Sequence, residues 1–114
     1  MTDTIDGETF SALRDTTGGD FVRELIDTFL TEAPSMLADL RDSLAGGEAE
    51  RFRRAAHSLK SNGNTFGALT LGTLARELEL AGVAQVNERG PSALAEVEAE
   101  YMRVASALKA LRDE

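Results

Sequence analysis

A chain of 114 residues, 42% apolar and 28% charged, has enough material for one hydrophobic core and reads as a single domain over 1–114. With no cysteine and one histidine, disulfides, thiolate metal sites and clustered imidazoles are excluded. A net charge of −8 argues against nucleic acid or an anionic membrane as partner, and no apolar run approaches the roughly 20 residues of a membrane span. The N-terminus lacks the basic and apolar regions of a signal peptide, and the absence of cysteine suits a reducing cytoplasm, so a cytoplasmic location is expected.

The apolar periodicity is helical from end to end. Asp6 reads as the N-cap of a short first helix running to about Asp15, with Ile5 and Phe10 placed as a hydrophobic staple. Thr16-Thr17-Gly18-Gly19 breaks it. The second helix begins near Asp20 and carries Val22, Leu25, Ile26, Phe29, Ala33, Met36, Leu37, Leu40 and Leu44 at i+3 and i+4 spacings. Pro34 falls inside it, yet the apolar phase continues on both sides, which predicts a kink at the Leu30 carbonyl in place of a break.

Gly46-Gly47 ends that helix, and Glu48 and Glu50 open a third, where carboxylates complement the N-terminal dipole. The third helix ends at Gly67, read as a C-cap. A fourth uses Leu71, Leu74, Ala75, Leu78 and Ala81 and stops at Gly82; Val83 to Gly90 is the least regular segment. Pro91 suits the first position of a last helix, whose face is Leu94, Val97, Tyr101, Val104, Ala105, Leu108 and Leu111. The expected fold is all-α: an antiparallel up-and-down four-helix bundle with a short additional N-terminal helix.

His57 concentrates the chemistry. At about 100° per residue, Phe52, Ala55, Leu59, Gly63 and Phe66 share the apolar side of the third helix, and His57 points away from them. Around it, within roughly a turn or two, stand Arg53, Arg54, Lys60, Ser61 and Asn64. Four of the chain's twelve cations (Arg51, Arg53, Arg54 and Lys60) fall within ten residues, a local site for anions on an acidic protein. With one histidine there is no Ser/His/Asp triad to be built in the usual way, and the 20 carboxylates scatter over exposed helix faces. No glycine-rich nucleotide loop is present, so no ATP site is expected and a phosphoryl group has to come from a partner. A lone imidazole still suffices as a covalent phosphate carrier. Most of it is neutral and nucleophilic at cytoplasmic pH, and phosphoryl transfer asks mainly for alignment and charge compensation. The flanking cations favour the neutral ring and then stabilise the added phosphate, with Lys60 the best placed for direct contact.

The run His57-Ser58-Leu59-Lys60-Ser61-Asn62-Gly63-Asn64-Thr65-Phe66-Gly67-Ala68 resembles the signature of histidine-containing phosphotransfer (HPt) domains, H-x-L-K-G-S-S-x-x-x-G-A. The match includes His57, Leu59, Lys60, Gly67 and Ala68. Ser61 stands where many members have glycine, and Gly63 where serine or alanine is common. The resemblance implies that His57 is the phosphoacceptor and Lys60 a phosphate-stabilising residue, with no cofactor. Its partners would be response-regulator receiver domains, which bring the Mg²⁺, and a hybrid histidine kinase. Arg53, Arg54, Ser61 and Asn64 are the candidates for partner docking. Gly63 and Asn62 read as structural, by close helix packing and a local hydrogen bond. Met1 and the fit to one domain favour a free-standing protein. Two other classes compete: a helical module that binds receivers without carrying phosphate, and an enzyme with a carboxylate or histidine site in a deep pocket.

Overall fold

A computed structural model describes residues 4–90 and 92–114, and every regular element among them is a helix. In chain order these are α1 (Gly7–Thr17), α2 (Gly19–Gly46), α3 (Ala49–Phe66), α4 (Leu69–Arg89) and α5 (Ser92–Arg112). The side chain of Asp6 accepts from the Thr9 amide at 3.0 Å and caps α1, while Ile5 and Phe10 are both buried, as a staple requires. The first helix runs two residues beyond the expected Asp15. Gly18 alone, at φ 91°, makes the turn into α2.

α2 continues through Pro34 to Gly46. Pro34 has no N–H for the Leu30 carbonyl, but Ile26, Phe29, Ala33, Leu37 and Leu40 remain on one buried face, and packing holds the helix together across the gap. Gly47 closes α2 in the left-handed conformation, with the Glu48 amide returning to the Ser43 carbonyl at 2.8 Å.

One expectation is overturned. Val83 to Arg89 is helical, not irregular. The backbone does leave the helix at Gly82 (φ 78°, ψ 172°), but it re-enters at once, and the completely buried Val86 anchors the extra two turns. One buried residue in a short polar stretch leaves no readable periodicity; tertiary packing decides the conformation. Pro91 lies outside the described residues.

α3 packs against α2 and α4, and α5 closes on the same two helices from the other side; α1 lies across α2 and α3. The core is continuous from Phe10 through Phe29, Phe52, Leu59 and Phe66 to Tyr101 and Leu108. Phe29 packs against Phe66 with the rings tilted by 40° and meets Tyr101 edge-on, with ring centroids 5.5 and 5.9 Å apart. No helix among the described residues is long and apolar enough to cross a membrane.

Candidate functional site

The position of His57 follows from the packing of its own helix. Phe52, Ala56 and Leu59 are fully buried, which turns residue 57 outward, and its side chain is 55% exposed. The end of α3 is fixed by a complete C-cap at Gly67 (φ 87°): its amide reaches the Asn64 carbonyl at 3.1 Å and the Ala68 amide the Gly63 carbonyl at 2.8 Å. Gly67 also accepts a 2.8 Å hydrogen bond from the Asp6 amide, and a Cβ there would lie 2.8 Å from the Asp6 carbonyl oxygen. So this glycine is required twice, by its backbone angle and by the approach of the N-terminal segment.

Across from α3, small residues set the spacing of α4. A Cβ on Gly63 would just touch the Gly72 amide at 3.5 Å, and the Asn64 side chain occupies the space a side chain at residue 72 would need. Two turns further along, this close crossing brings Glu79 of α4 up to the histidine. Glu79 Oε2 lies 2.7 Å from His57 Nδ1, and Oε1 accepts from Lys60 Nζ at 2.9 Å. The Glu79 side chain is 13% exposed and that of Lys60 23%.

The carboxyl of Glu79 is held below its ordinary range, chiefly by the hydrogen bond from Lys60, against the opposing effect of burial, and further by His57. An ionised carboxylate only accepts, so Nδ1 of His57 is the donor and carries the proton. In the neutral ring this leaves the lone pair on Nε2, which makes no hydrogen bond among the described residues. Glu79 therefore sets the tautomer and orientation of the ring and holds Lys60 one turn away. An imidazole so arranged presents a nucleophilic nitrogen to the surface, with a cation nearby.

The remaining candidates divide. Arg53 is exposed and bonded to Glu50 through two nitrogens, at 2.6 and 3.2 Å. Arg51 is bonded to Asp39 at 2.7 Å and to Glu48 at 3.1 Å. Arg54 makes no ion pair or hydrogen bond among the described residues and lines a cleft between α2 and α3. Ser61 is exposed, on the same side as His57. Asn64 lies against Gly72 at the α3–α4 crossing. Asn62 donates to the Ser58 carbonyl at 2.8 Å, the local structural bond expected of it. The expected scatter of carboxylates over exposed faces fails at two positions. Glu79 is mostly covered, and Glu100 is buried at 5% exposure beneath Arg103.

Glu79 was not legible as a site residue. It follows Gly72 and Ala75 at i+7 and i+4, on the flank of a buried stripe, but the register that sets it opposite His57 exists only in the packed pair of helices.

A family model for the Hpt domain matches residues 24–114, and the chain belongs to that family. A crystal structure of histidine-containing phosphotransfer protein B (HptB) from Pseudomonas aeruginosa PAO1 superposes with a TM-score of 0.88 at 26% identity, covering 99% of this chain and 97% of that one. The likeness thus includes α1 and the start of α2, which precede the matched residues. No curated protein matches the chain. It is a histidine phosphotransfer protein of the phosphorelay type, and proteins of this family are intermediates in phosphoryl transfer.

Proposed function

We propose that His57 accepts a phosphoryl group from the aspartyl phosphate of one receiver domain and passes it to an aspartate of another. The observation that carries this reading is the half-exposed imidazole whose Nδ1 is tied to Glu79 while Nε2 makes no hydrogen bond among the described residues. Nε2 attacks phosphorus as the bond from phosphorus to the aspartyl oxygen breaks. The aspartate leaves as carboxylate, and the ring, keeping its Nδ1 proton, gains positive charge beside Glu79. Lys60 stands one turn on to compensate the phosphoryl oxygens. Return of the group to an aspartate reverses the same steps. Mg²⁺ belongs to the receiver, and the donor at the head of the relay is a hybrid histidine kinase.

The architecture that serves this is an antiparallel up-and-down bundle of α2 to α5 with α1 as the additional short helix, making a single Hpt domain of residues 1–114. Two ion pairs support the antiparallel arrangement of α2 and α5, Arg41 with Glu98 and Asp27 with Arg112, because their order reverses along the two helices. Two contacts do the same for α3 and α4, Gly63 near Gly72 and His57 near Glu79.

The test is His57→Gln with a phosphorylated receiver as donor. The wild type gains an acid-labile, base-stable phosphate, ATP and Mg²⁺ alone leave it unlabelled, and the variant folds but gains none. Full labelling of His57→Gln ends the proposal.

A further inference from the structure

We infer that the cleft between α2 and α3 beside His57 selects the receiver, by taking an apolar side chain that has a carboxylate next to it on the receiver surface. The inference rests on the phosphotransfer reading above and names what that reading leaves open, the chemistry by which a partner is chosen. The cleft encloses about 410 Å³ and is lined by Met36 and Asp39 of α2 and by Arg51, Arg54, Ala55 and Ser58 of α3. It reaches the phosphoacceptor surface through Arg54, which stands at i−3 from His57 on the same helix.

Its two cations are not equivalent. Arg51 is already engaged, by Asp39 at 2.7 Å, Glu48 at 3.1 Å and Asp42 at 4.0 Å. Of the four cations clustered around the histidine, Arg54 is the one with no ion pair or hydrogen bond among the described residues. Glu50, whose carboxyl Arg54 helps to hold low, is bonded to Arg53 instead. On a protein of net charge −8, an unpaired guanidinium at the rim of an open cleft offers an incoming acid both attraction and a forked set of donors. Met36 and the mostly buried Ala55 line the same cleft, and the Met36 thioether adapts to the shape of what enters. A receiver has to bring its phosphoaspartate to His57, so whatever it places one turn away meets this cleft.

The experiment uses the full chain, a phosphorylated receiver that transfers to the wild type, and phosphoramidate as a small donor that needs no docking. The readout is the ratio of receiver-dependent to phosphoramidate-dependent labelling of His57. Arg54→Glu lowers that ratio on the order of tenfold, through a raised KM for the receiver. Arg54→Lys recovers part of it, and Met36→Gln lowers it less than Arg54→Glu does. A receiver with its matching carboxylate changed to lysine restores transfer to Arg54→Glu. Salt weakens receiver transfer to the wild type more than to Arg54→Ala. A ratio equal to wild type in Arg54→Glu overturns the inference and leaves the phosphoacceptor standing. Failure of both donors to label wild-type His57 removes the reading beneath it.

Discussion

On the α4 side of His57 both oxygens of Glu79 are engaged, one by His57 Nδ1 at 2.7 Å and the other by Lys60 Nζ at 2.9 Å. On the α2 side Arg54 faces an open cleft and bonds to no carboxylate among the described residues. The first flank is mostly covered and electrically closed; the second is exposed and carries unspent charge. On the function proposed for His57, the difference separates two tasks that one surface would have to perform. Orienting a nucleophile calls for a partner fixed in advance, because a ring that turns freely presents the wrong nitrogen part of the time. Recognising another protein calls for groups that are still free to bond.

The sharpest way to break this comparison is Glu79→Ala. It removes the acceptor that fixes the imidazole tautomer and releases Lys60, so phosphoryl transfer from both a receiver and phosphoramidate falls by about tenfold or more, the usual cost of losing an orienting partner. Glu79→Gln keeps one acceptor oxygen for Nδ1 but loses the charge and, with its NH2 in place of the second oxygen, the acceptor for Lys60, so it retains more activity than Glu79→Ala without matching the wild type. The two rates, measured by labelling of His57, distinguish orientation from electrostatics. If phosphoramidate labels Glu79→Ala as fast as wild type, the covered flank has no part in the chemistry.

Lys60→Ala tests the same flank from its cationic side. Loss of one charge close to the phosphoryl group, at a partly exposed position, corresponds to about 1 kcal/mol and hence roughly a fivefold lower rate. A shorter phosphohistidine lifetime accompanies it. Unchanged rate and unchanged lifetime would leave Lys60 as a partner of Glu79 and nothing more.

The closed flank also leaves a signature in stability. The folded carboxyl of Glu79 titrates below its unfolded range, mainly because Lys60 bonds to it. Its contribution to stability is therefore complete above the ordinary carboxylate range of the unfolded chain and is lost as pH falls through the lower folded value. Asp6, held low by Thr9, and Glu50, held low by Arg53, act in the same direction, so the informative quantity is a difference. Subtracting the acid-limb Tm profile of Glu79→Gln from that of the wild type isolates the Glu79 part. A difference that stays constant on acidification contradicts the pairing.

The helices and the histidine could be read from sequence because local rules set them. Asp6 with Thr9, Gly47 and Gly67 are caps whose chemistry lies within a few residues, and the outward turn of His57 follows from the stripe on its own helix. What sequence did not disclose depends on two helices at once. Glu79 looks like any exposed carboxylate until Gly63 and Gly72 bring α3 and α4 together. The helical turns after Gly82 form because Val86 finds a buried site. Arg53 and Arg54 are adjacent and chemically identical, yet Glu50 claims one and leaves the other facing the cleft.

That last contrast gives the smallest expected effect and the most exacting control. Arg53 is 52% exposed and its partner Glu50 66%, an i,i+3 pair of the kind that contributes only a few tenths of a kcal/mol. Removing it frees Glu50, whose charge then falls to Arg54, the next cation along the helix. Arg53→Ala therefore slows receiver transfer less than Arg54→Ala, by about twofold or less, and leaves Tm nearly unchanged. The double variant Arg53→Ala/Glu50→Ala removes the released carboxylate and returns transfer to the wild-type rate. If Arg53→Ala proves as damaging as Arg54→Ala, the two arginines act as one undifferentiated patch, and the distinction between a spent and an unspent cation beside His57 is lost.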